Sequence, residues 1–442
     1  MCIRATELSQ MQDAFASTPL TTPSELREFY QETAHARTGD DFSDFVKSLS
    51  LKLEDSKEVV QHILFVGHPG CGKTTELFQL FQKTQNMGFV SCFGRCDLEL
   101  DSADIEYTDV LFFVLDLLVK AADENDIDID ASLISEIHSY WKDEIEIIKT
   151  EGRQEESSIS GGASAEAGIR GLIKVFTEIK GIIKNGSESR RQIRNRIEPR
   201  SSELVNKIQS IIGEISNKAD GMGKKKVPLV ILDGLDKIPL EQARKIFKEN
   251  GARFSLLNVH LIVTFSIALT YTPEYSDITI WFPNPEKLPM IKLRKWENNR
   301  YIGGYTEGID TMKQIVRKRA DESLFDEGVL DKLIAQTGGY IRDLFRCISK
   351  AANRARMRLA QTISLEDAQV ALDNLESDLN GRYDANMIPI MKKIYNGEKH
   401  VSTSSMITRL LQVGAVLEYN GQKWCDLHPL VEKWLKEHGR LN

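Results

Sequence analysis

Short apolar runs alternate with longer amphipathic stretches over the first 293 residues of the chain. A run of four to eight apolar residues bounded by glycine or polar residues is too short for most helices, so each run predicts a buried strand. The predicted strands are His62–Val66, Phe89–Cys96, Val227–Leu232, Val259–Phe265 and Lys287–Leu293. Strands that alternate with helices predict an α/β fold.

Apolar residues at helical spacing predict the remaining elements. Helices before the last strand are predicted at Ser24–Ala36, Phe42–Leu53, Thr74–Thr84, Asp109–Ala122, Ser132–Lys149, Ser201–Ile215 and Leu240–Asn250. Four helices follow that strand, at Thr311–Arg319, Asp326–Gln336, Tyr340–Arg358 and Ser364–Glu376. The expected divisions are an N-terminal helical segment (1–58), an α/β core (59–300), a helical unit (301–380) and a C-terminal domain (381–442).

The C-terminal tail carries a hairpin signal. Asn420-Gly421 lies between Val416–Tyr419 and Lys423–Asp426, and Asn-Gly between alternating runs is the strongest short-range hairpin signal. Helices followed by a hairpin predict a winged-helix domain. Residues 384–442 contain eight Lys/Arg and six Asp/Glu, a net charge of only +2. This low charge favours a protein contact over a duplex-DNA reader.

Residues 150–200 interrupt the core. Residues 150–165 are rich in Ser, Gly and Glu, which predicts a mobile loop. Residues 170–200 hold nine Lys/Arg and three Glu around apolar positions at helical spacing. Three readings stay open for this basic stretch: a solvated helix face, a surface for an acidic partner, or a nucleic-acid contact. The first is the commonest role of such a run.

Composition narrows the functional classes. A length of 442 residues favours two or three domains, and the net charge of −8 argues against a protein coated in nucleic acid. No run of 18 apolar residues predicts a membrane span, and the first 20 residues lack the apolar core of a signal peptide. The six cysteines lie mostly far apart, as in a reduced protein. We therefore expect a cytoplasmic protein.

The most specific motif follows the first predicted strand. Residues 67–74 read GHPGCGKT and match G-x-x-x-x-G-K-[ST] without a mismatch. Backbone N–H groups of such a loop curve around phosphates, while Lys73 reaches the β- and γ-phosphates and the Thr74 hydroxyl coordinates Mg²⁺. The next helix directs its N-terminus at the anion. The predicted ATP-binding residues are Gly67, His68, Pro69, Gly70, Cys71, Gly72, Lys73, Thr74 and Thr75.

A second motif, VPLVILDGLD at residues 227–236, is an apolar strand that ends in an acid. Asp233 at the tip of such a strand is expected to hold the Mg²⁺ shell together with Thr74. Any buried strand can end in Asp, so the motif is informative because it accompanies the P-loop.

GHPGCGKTTEL and VPLVILDGLD resemble the AAA+ and STAND ATPases, particularly bacterial members. The resemblance covers roughly residues 20–440. It implies a five-stranded parallel sheet with helices on both faces, a helical lid and a winged helix. It further implies ATP and Mg²⁺ as ligands. By the same resemblance, Thr264 near the tip of its strand would contact the γ-phosphate or the attacking water, although a role in strand packing is equally open. Arg342, after Gly338-Gly339, would sense the γ-phosphate from the lid, although a solvated or salt-bridged role for a helical arginine is also open.

Two departures from the family pattern concern hydrolysis. Many relatives place Glu directly after the acid of the second motif, whereas this chain has Gly234 and then Asp236 as the next acid, in the D-G-x-D form of STAND proteins. A shorter acid at a different offset predicts slow turnover, with Asp236 orienting the water. Residues 267–286 contain no Lys or Arg where an arginine finger is expected; Arg253, Arg294 and Arg300 are the nearby candidates.

The pattern favours an ATP-binding, slowly hydrolysing switch that controls self-association or a protein effector, and the resemblance suggests a bacterial defence or mobile-element system. The alternative is a DNA-binding initiator or transposition-regulator ATPase that acts through the winged helix. A third reading is a scaffold that binds ATP and barely hydrolyses it.

Overall fold

Five parallel strands form the central sheet of the protein. The computed structural model describes residues 3–39, 44–56, 59–151, 168–298, 300–420 and 423–441. The strands are β1 His62–Gly67, β2 Ser91–Arg95, β3 Leu229–Asp233, β4 His260–Ser266 and β5 Glu286–Leu288, in the order β2-β3-β4-β1-β5. Every residue of β1, β3 and β4 is buried, as expected for a parallel sheet covered by helices on both faces. The predicted five-stranded α/β fold is confirmed.

Helices cover the sheet and continue beyond it. Those before β5 are α1 Met11–Ala14, α2 Pro23–Phe29, α3 Ala34–Thr38, α4 Phe45–Asp55, α5 Lys73–Asn86, α6 Cys96–Glu99, α7 Tyr107–Glu124, α8 Ala131–Glu151, α9 Ile169–Asn185, α10 Ser187–Ile197, α11 Ser201–Gly221, α12 Leu240–Arg244, α13 Gly251–Ser255 and α14 Tyr275–Trp281. Those after it are α15 Thr306–Arg317, α16 Val329–Thr337, α17 Ile341–Met357, α18 Leu365–Asn380, α19 Ile388–Tyr395, α20 Ser405–Val413 and α21 Pro429–Glu437. No helix among the described residues is both long and apolar enough to cross a bilayer.

Local chemistry explains several helix boundaries. α2 begins where Thr22 accepts a hydrogen bond from the Glu25 backbone and Pro23 occupies the first helical turn. α18 begins at a capping box between Ser364 and Asp367. The single helix predicted at Ser24–Ala36 is wrong, because the backbone becomes extended at Tyr30. Tertiary contacts of that residue, described below, account for the break.

Two elements near the end of the core differ from the sequence-based prediction. β5 ends at Leu288 rather than Leu293, since Pro289 has no N–H to donate to a strand ladder. An antiparallel hairpin of β6 Arg294–Glu297 and β7 Arg300–Gly304 follows, and the sequence did not predict it. The expected boundary at residue 300 therefore cuts through this hairpin.

The N-terminal segment packs against the later helices. Ala5 forms a parallel bridge with Ala320, just after α15. The Phe15 ring lies edge-on to that of Phe345 in α17, with 5.3 Å between centroids. The segment thus contributes directly to the packing of α15 and α17, over 300 residues away in the chain.

The C-terminal hairpin is confirmed. β8 Val416–Tyr419 pairs antiparallel with β9 Trp424–Leu427, and Asn420 has φ +60° at the turn. α19 and α20 precede it and α21 follows. Leu417 and Tyr419 are buried in a cluster with Phe65 of β1 and Leu288 of β5, so the hairpin packs on the sheet domain.

The basic stretch 170–200 folds against acids of the same chain. Arg190 and Arg194 are buried, and Arg190 pairs with Asp101 at 2.8 Å and with Asp104 at 3.0 Å. Arg194 pairs with Asp104 at 3.1 Å and also with Asp109. These two arginines are therefore neutralised internally, which weakens the nucleic-acid interpretation of the stretch.

Three features of the sequence-based predictions lie outside the described residues. The loop predicted at 150–165 is described only at Thr150 and Glu151, which end α8. Gly421 of the predicted turn and Phe42 of the predicted second helix are likewise not among the described residues.

Candidate nucleotide-binding site

The loop between β1 and α5 lies at the carboxyl edge of the sheet, where ligands bind in open α/β folds. Gly70 and Gly72 have φ values of +92° and +110°, which side chains other than glycine rarely adopt. Lys73 is the first residue of α5, so the loop leads directly into a helix N-terminus that favours anions. These are the backbone features that the P-loop motif predicts.

Lys73 is buried in a polar cage. Its Nζ donates hydrogen bonds to the carbonyl oxygens of Gly67 at 2.8 Å and His68 at 2.9 Å. It also lies 2.8 Å from Oδ2 of Asp236, and both side chains are buried. Burial alone would lower the pKa of Lys73, but the carboxylates of Asp236 and Asp233 outweigh burial and raise that pKa. The lysine therefore stays charged, with Asp236 as its counter-ion.

Thr74 and Asp233 meet as predicted. The Thr74 hydroxyl donates to Oδ2 of Asp233 at 2.6 Å. Oδ1 of Asp233 is buried and has no hydrogen-bond partner among the described residues. Burial and the neighbouring Asp236 raise the pKa of Asp233. A hydroxyl beside an unsatisfied carboxylate oxygen is a donor set that suits Mg²⁺, which would neutralise phosphate charge there.

Arg95, which the sequence analysis missed, ends β2 beside this pair. Its Nε lies 3.2 Å from Oδ2 of Asp233, and its guanidinium binds Asp97 through two bonds of 2.9 Å. Lys237 also reaches Asp97 at 2.6 Å. The sequence did contain a signal for Arg95, because the ends of parallel strands meet at one edge of a sheet and Arg95 is the last residue of β2.

Gly234 stands where many relatives of the resembled family have Glu, and the structure gives a physical reason. Its φ is +90°, and a Cβ there would overlap the Asp97 carboxylate. A glutamate at this position would meet both backbone strain and a like charge. The chain instead turns through Gly234 and brings Asp236 to Lys73, so Asp236 lies in the site as predicted.

A cleft of about 140 Å³ opens beside the P-loop. Gly70, Gly72, Lys73, Thr74 and Thr75 line it, whereas Gly67, His68, Pro69 and Cys71 do not. The opposite walls come from the N-terminal segment and from α15 and α17. Five of the nine predicted nucleotide-binding residues therefore face the cleft.

Arg342 lies over the P-loop, as the sequence predicts. A Cβ on Gly70 would overlap the Arg342 side chain, so glycine is needed for this approach. Arg342 makes no hydrogen bond or ion pair within the part of the chain that the structure describes. An arginine held this close to a phosphate-binding loop without a counter-ion is suited to contact a phosphate.

Arg37 in α3 is a second arginine that the sequence analysis missed. It is buried and donates to the Thr33 hydroxyl at 2.8 Å, to the Cys71 carbonyl at 2.8 Å and to the Pro289 carbonyl. The side chain thus joins the N-terminal segment, the P-loop and the end of β5. Nothing in the local sequence distinguishes it from a surface arginine of an amphipathic helix.

Glu76, one turn into α5, also binds the N-terminal segment. It accepts hydrogen bonds from Tyr30 at 2.9 Å and from Thr33 at 3.4 Å. The extended backbone that breaks the predicted helix at Tyr30 allows this contact. Burial raises the pKa of Glu76 from 4.5 to about 7.

Glu76→Gln should therefore change the pH dependence of stability. A carboxyl whose folded pKa is raised stabilises the fold fully below pH 4.5, and this contribution is lost as the pH rises through 7. The difference corresponds to roughly 3 kcal/mol at most. Relative to wild type, the variant should gain stability between pH 5 and pH 8 in denaturant titrations. Glu188→Gln, at an exposed position, should show no such gain; equal pH profiles for Glu76→Gln and wild type would contradict the assignment.

The P-loop is also tied to the C-terminal elements. His68 is fully buried, and burial lowers its pKa to about 3, so the ring is neutral. Its Nε2 accepts a hydrogen bond of 2.9 Å from the Glu418 backbone in β8. The Tyr340 hydroxyl, next to α17, donates to the Pro69 carbonyl. His68 is thus a structural link, whereas the sequence alone gave it no role beyond the loop.

Neither Thr264 nor the arginine-finger candidates line the cleft. Thr264 is fully buried, and its hydroxyl accepts a hydrogen bond of 3.1 Å from the Leu235 backbone instead of facing the cleft. β4 continues to Ser266, which is paired with Gly67, so Thr264 lies two residues short of the strand tip. Arg253, Arg294 and Arg300 also lie outside this cleft; an arginine finger supplied to a neighbouring subunit would lie outside it too, so all three stay candidates.

No protein-family model matches the chain. Among solved structures it is similar to the Aeropyrum pernix ORC2 protein in its ADPNP–ADP complexes, with 10% identity, a TM-score of 0.43 and coverage of 97% of this chain and 96% of that one. It is also similar to Cdc6p from Pyrobaculum aerophilum, with 11% identity, a TM-score of 0.36 and coverage of 97% and 98%. The Aeropyrum pernix ORC1 protein in complex with DNA gives 12% identity, a TM-score of 0.36 and coverage of 90% and 92%.

These scores are too low to transfer a function. The sheet order and the P-loop geometry of the chain itself show that the fold is that of a P-loop NTPase.

Proposed function

We propose that this protein is a switch that binds ATP with Mg²⁺, hydrolyses it slowly, and uses the nucleotide state to set its contact with a partner protein or a second copy of itself. The observation that carries the proposal is the set of contacts on the P-loop. Glu418 of the C-terminal hairpin and Tyr340 next to α17 bind P-loop residues, and Arg342 of α17 lies over Gly70.

ATP would alter these contacts directly. A nucleotide in the cleft would bring its phosphates to the place where Arg342 meets Gly70, and Arg342 would turn towards them. α17 would shift with Arg342, and the hairpin packs against the same loop through His68. ADP lacks the γ-phosphate, so ATP and ADP would favour different positions of α17 and the hairpin.

Slow turnover follows from two features of the site. Gly234 leaves no glutamate next to Asp233, and Asp236 is already engaged by Lys73 at 2.8 Å. Asp236 can orient a water molecule only after Lys73 moves to the phosphates. We therefore assign the acid–base role to Asp236, Mg²⁺ binding to Thr74 and Asp233, and phosphate sensing to Arg342.

The proposal also covers the ATPase class, the biological setting and the roles of the C-terminal elements. By motif resemblance, the chain belongs with STAND-type AAA+ ATPases and acts in a bacterial defence system. α15–α18 serve as the lid, and α19–α21 with the β8–β9 hairpin serve as a winged helix used for protein contact. The lid begins after the β6–β7 hairpin rather than at residue 301.

Mass photometry of the full chain with ADP and then with a slowly hydrolysed ATP analogue tests the switch. Wild type, alone or with candidate partners, should change mass between the two nucleotides. The ratio of association constants with the ATP analogue and with ADP should be at least about tenfold smaller in Arg342→Ala than in wild type. A tenfold difference is equivalent to about 1.4 kcal/mol. Arg346→Ala, one turn along α17 and paired with Asp378 at 3.3 Å, is the control and should behave as wild type.

A wild-type mass that is the same with both nucleotides and with every partner tested would contradict the switch. A mass change that persists in Arg342→Ala would remove Arg342 from the mechanism but leave the switch in place.

The second candidate function is the DNA-binding initiator or transposition regulator. One observation favours it: the exposed face of α20, directly before the hairpin, carries Ser405, Arg409 and Gln412, side chains that can contact phosphates and base edges. Against it, the buried face of α20 docks on the sheet domain, where the Thr408 hydroxyl donates to the Tyr271 carbonyl at 3.4 Å.

Fluorescence anisotropy with duplex DNA separates the protein-contact switch from the DNA-binding initiator. Salt-sensitive binding near 10⁻⁸ M would favour the initiator.

A further inference from the structure

A second pocket lies between the β6–β7 and β8–β9 hairpins. Its volume is about 310 Å³, and among the described residues it shares no lining residue with the P-loop cleft. This size is at the lower end of the range for small-molecule sites. Nothing in the proposed ATP chemistry uses it.

Aromatic side chains form its walls. The rings of Trp296 and Tyr301 are 4.7 Å apart between centroids, and Trp424 lies 6.2 Å from Trp296. Tyr419 completes the set at 5.8 Å from Trp424. Aromatic walls of this kind take either a cation or a planar ring.

The chain already supplies a cation to these rings. The buried Lys399 ammonium lies 4.5 Å from the Trp296 centroid and 5.4 Å from that of Trp424, and it pairs with Asp426 at 2.7 Å. Lys399 thus already occupies the position over these rings that a cationic ligand would take. The walls therefore favour a planar, uncharged ring.

The rim carries a net positive charge, because Lys292 and Lys295 outnumber Glu297, while Arg294 is paired with Glu432 and Asp426 with Lys399. It also carries a hydrogen-bond acceptor without a donor in the described structure. Lys292 and Lys295 line the pocket, and neither forms an ion pair within the described part of the chain. Their ammonium groups lie near the Tyr305 ring, at 5.1 and 5.9 Å. Asn420 also lines the pocket, and its Oδ1 is buried without a hydrogen-bond partner among the described residues. An anionic group would pair with the two lysines, and a hydrogen-bond donor on the edge of a polar ring would bond Oδ1 of Asn420.

We propose that this pocket binds a nucleobase together with its phosphate. The base would stack on the aromatic walls, its edge would bond Asn420, and the phosphate would reach Lys292 and Lys295. Two sources supply this chemistry, a free mononucleotide or one unit of a single-stranded nucleic acid. The pocket lies beside the hairpin that contacts the P-loop, so such a ligand would be positioned to act on the switch.

The test uses the full chain with saturating ADP and Mg²⁺, so that the P-loop cleft is filled. One arm titrates AMP, GMP, CMP and UMP, which lack the β-phosphate that a P-loop requires, and follows binding by calorimetry. The other arm titrates a fluorescein-labelled single-stranded oligodeoxycytidylate of 12 nucleotides and follows anisotropy. Binding in the first arm alone identifies a free nucleotide as the source; binding in the second identifies a single strand.

Trp296→Ala should weaken binding at least fivefold, because base stacking on an aromatic ring is lost. Trp296→Phe should stay within about threefold of wild type. Lys292→Ala/Lys295→Ala should weaken binding and reduce its dependence on salt, whereas Lys350→Ala, at an exposed site outside the pocket, should not. Unchanged ADP affinity in each variant verifies the fold. Absence of binding in both arms, or wild-type binding by Trp296→Ala and by the lysine double variant, would overturn the proposal.

Discussion

Lys73→Ala is expected to lower the affinity for ATP–Mg²⁺ by about 100-fold or more. The lysine ammonium donates two hydrogen bonds to loop carbonyls, and it is buried where it can reach phosphates. Charge-assisted hydrogen bonds contribute about 1.5–3 kcal/mol each, and every 1.4 kcal/mol is a factor of ten in affinity. Isothermal titration calorimetry with ATP and Mg²⁺ measures the change.

Loss of Lys73 also leaves Asp236 buried without the ammonium group that lies 2.8 Å from its carboxylate. Removing one partner of a buried ion pair typically costs about 3–5 kcal/mol of stability, so misfolding has to be separated from lost binding. Lys73→Ala/Asp236→Asn restores charge balance and should fold better than the single variant, yet still fail to bind ATP. Lys83→Ala, near the end of the same helix, is the matched control. Wild-type affinity in Lys73→Ala would refute the P-loop assignment.

Asp236→Asn is expected to lower the ATPase rate by about 100-fold or more, the usual size of a lost acid–base group. ATP binding should not weaken. The Asp236 carboxylate competes with phosphate for Lys73, so its removal should leave the affinity equal to that of wild type or a few times tighter. Steady-state phosphate release and calorimetry on the same preparations separate the two effects.

Asp310→Asn, an exposed acid in α15, controls for the loss of a negative charge. A wild-type ATPase rate in Asp236→Asn would show that another group orients the water. A large loss of ATP affinity in the same variant would show that the Lys73–Asp236 pair supports binding and does not compete with it.

The site was predictable where its chemistry is local. The P-loop depends on residues within one turn and the following helix, so Lys73 and Thr74 could be placed from the motif alone. Asp233 follows from a buried strand that ends in an acid, and Thr74 does meet it at 2.6 Å. The Asn-Gly hairpin is also a local signal.

Contacts across the chain were not predictable in this way. The His68–Glu418 bond joins residues 350 positions apart. The sequence around Arg37 is that of an ordinary amphipathic helix. Its contact with the Cys71 carbonyl is visible only in the folded structure. The choice between the two roles left open for Thr264 depends on where β4 ends relative to Gly67, which strand propensity does not give. Pro289, by contrast, was a visible signal that β5 ends early.

The central claim is that nucleotide state at the P-loop reaches the C-terminal hairpin, and hydrogen–deuterium exchange tests it most directly. The Glu418 amide donates to His68, so its exchange reports on that link. With a slowly hydrolysed ATP analogue, peptides covering Glu418 and Tyr340 should exchange at a different rate than with ADP, and Lys73→Ala should show no difference. Changes confined to residues 67–75 and 233–236 in wild type would contradict the account.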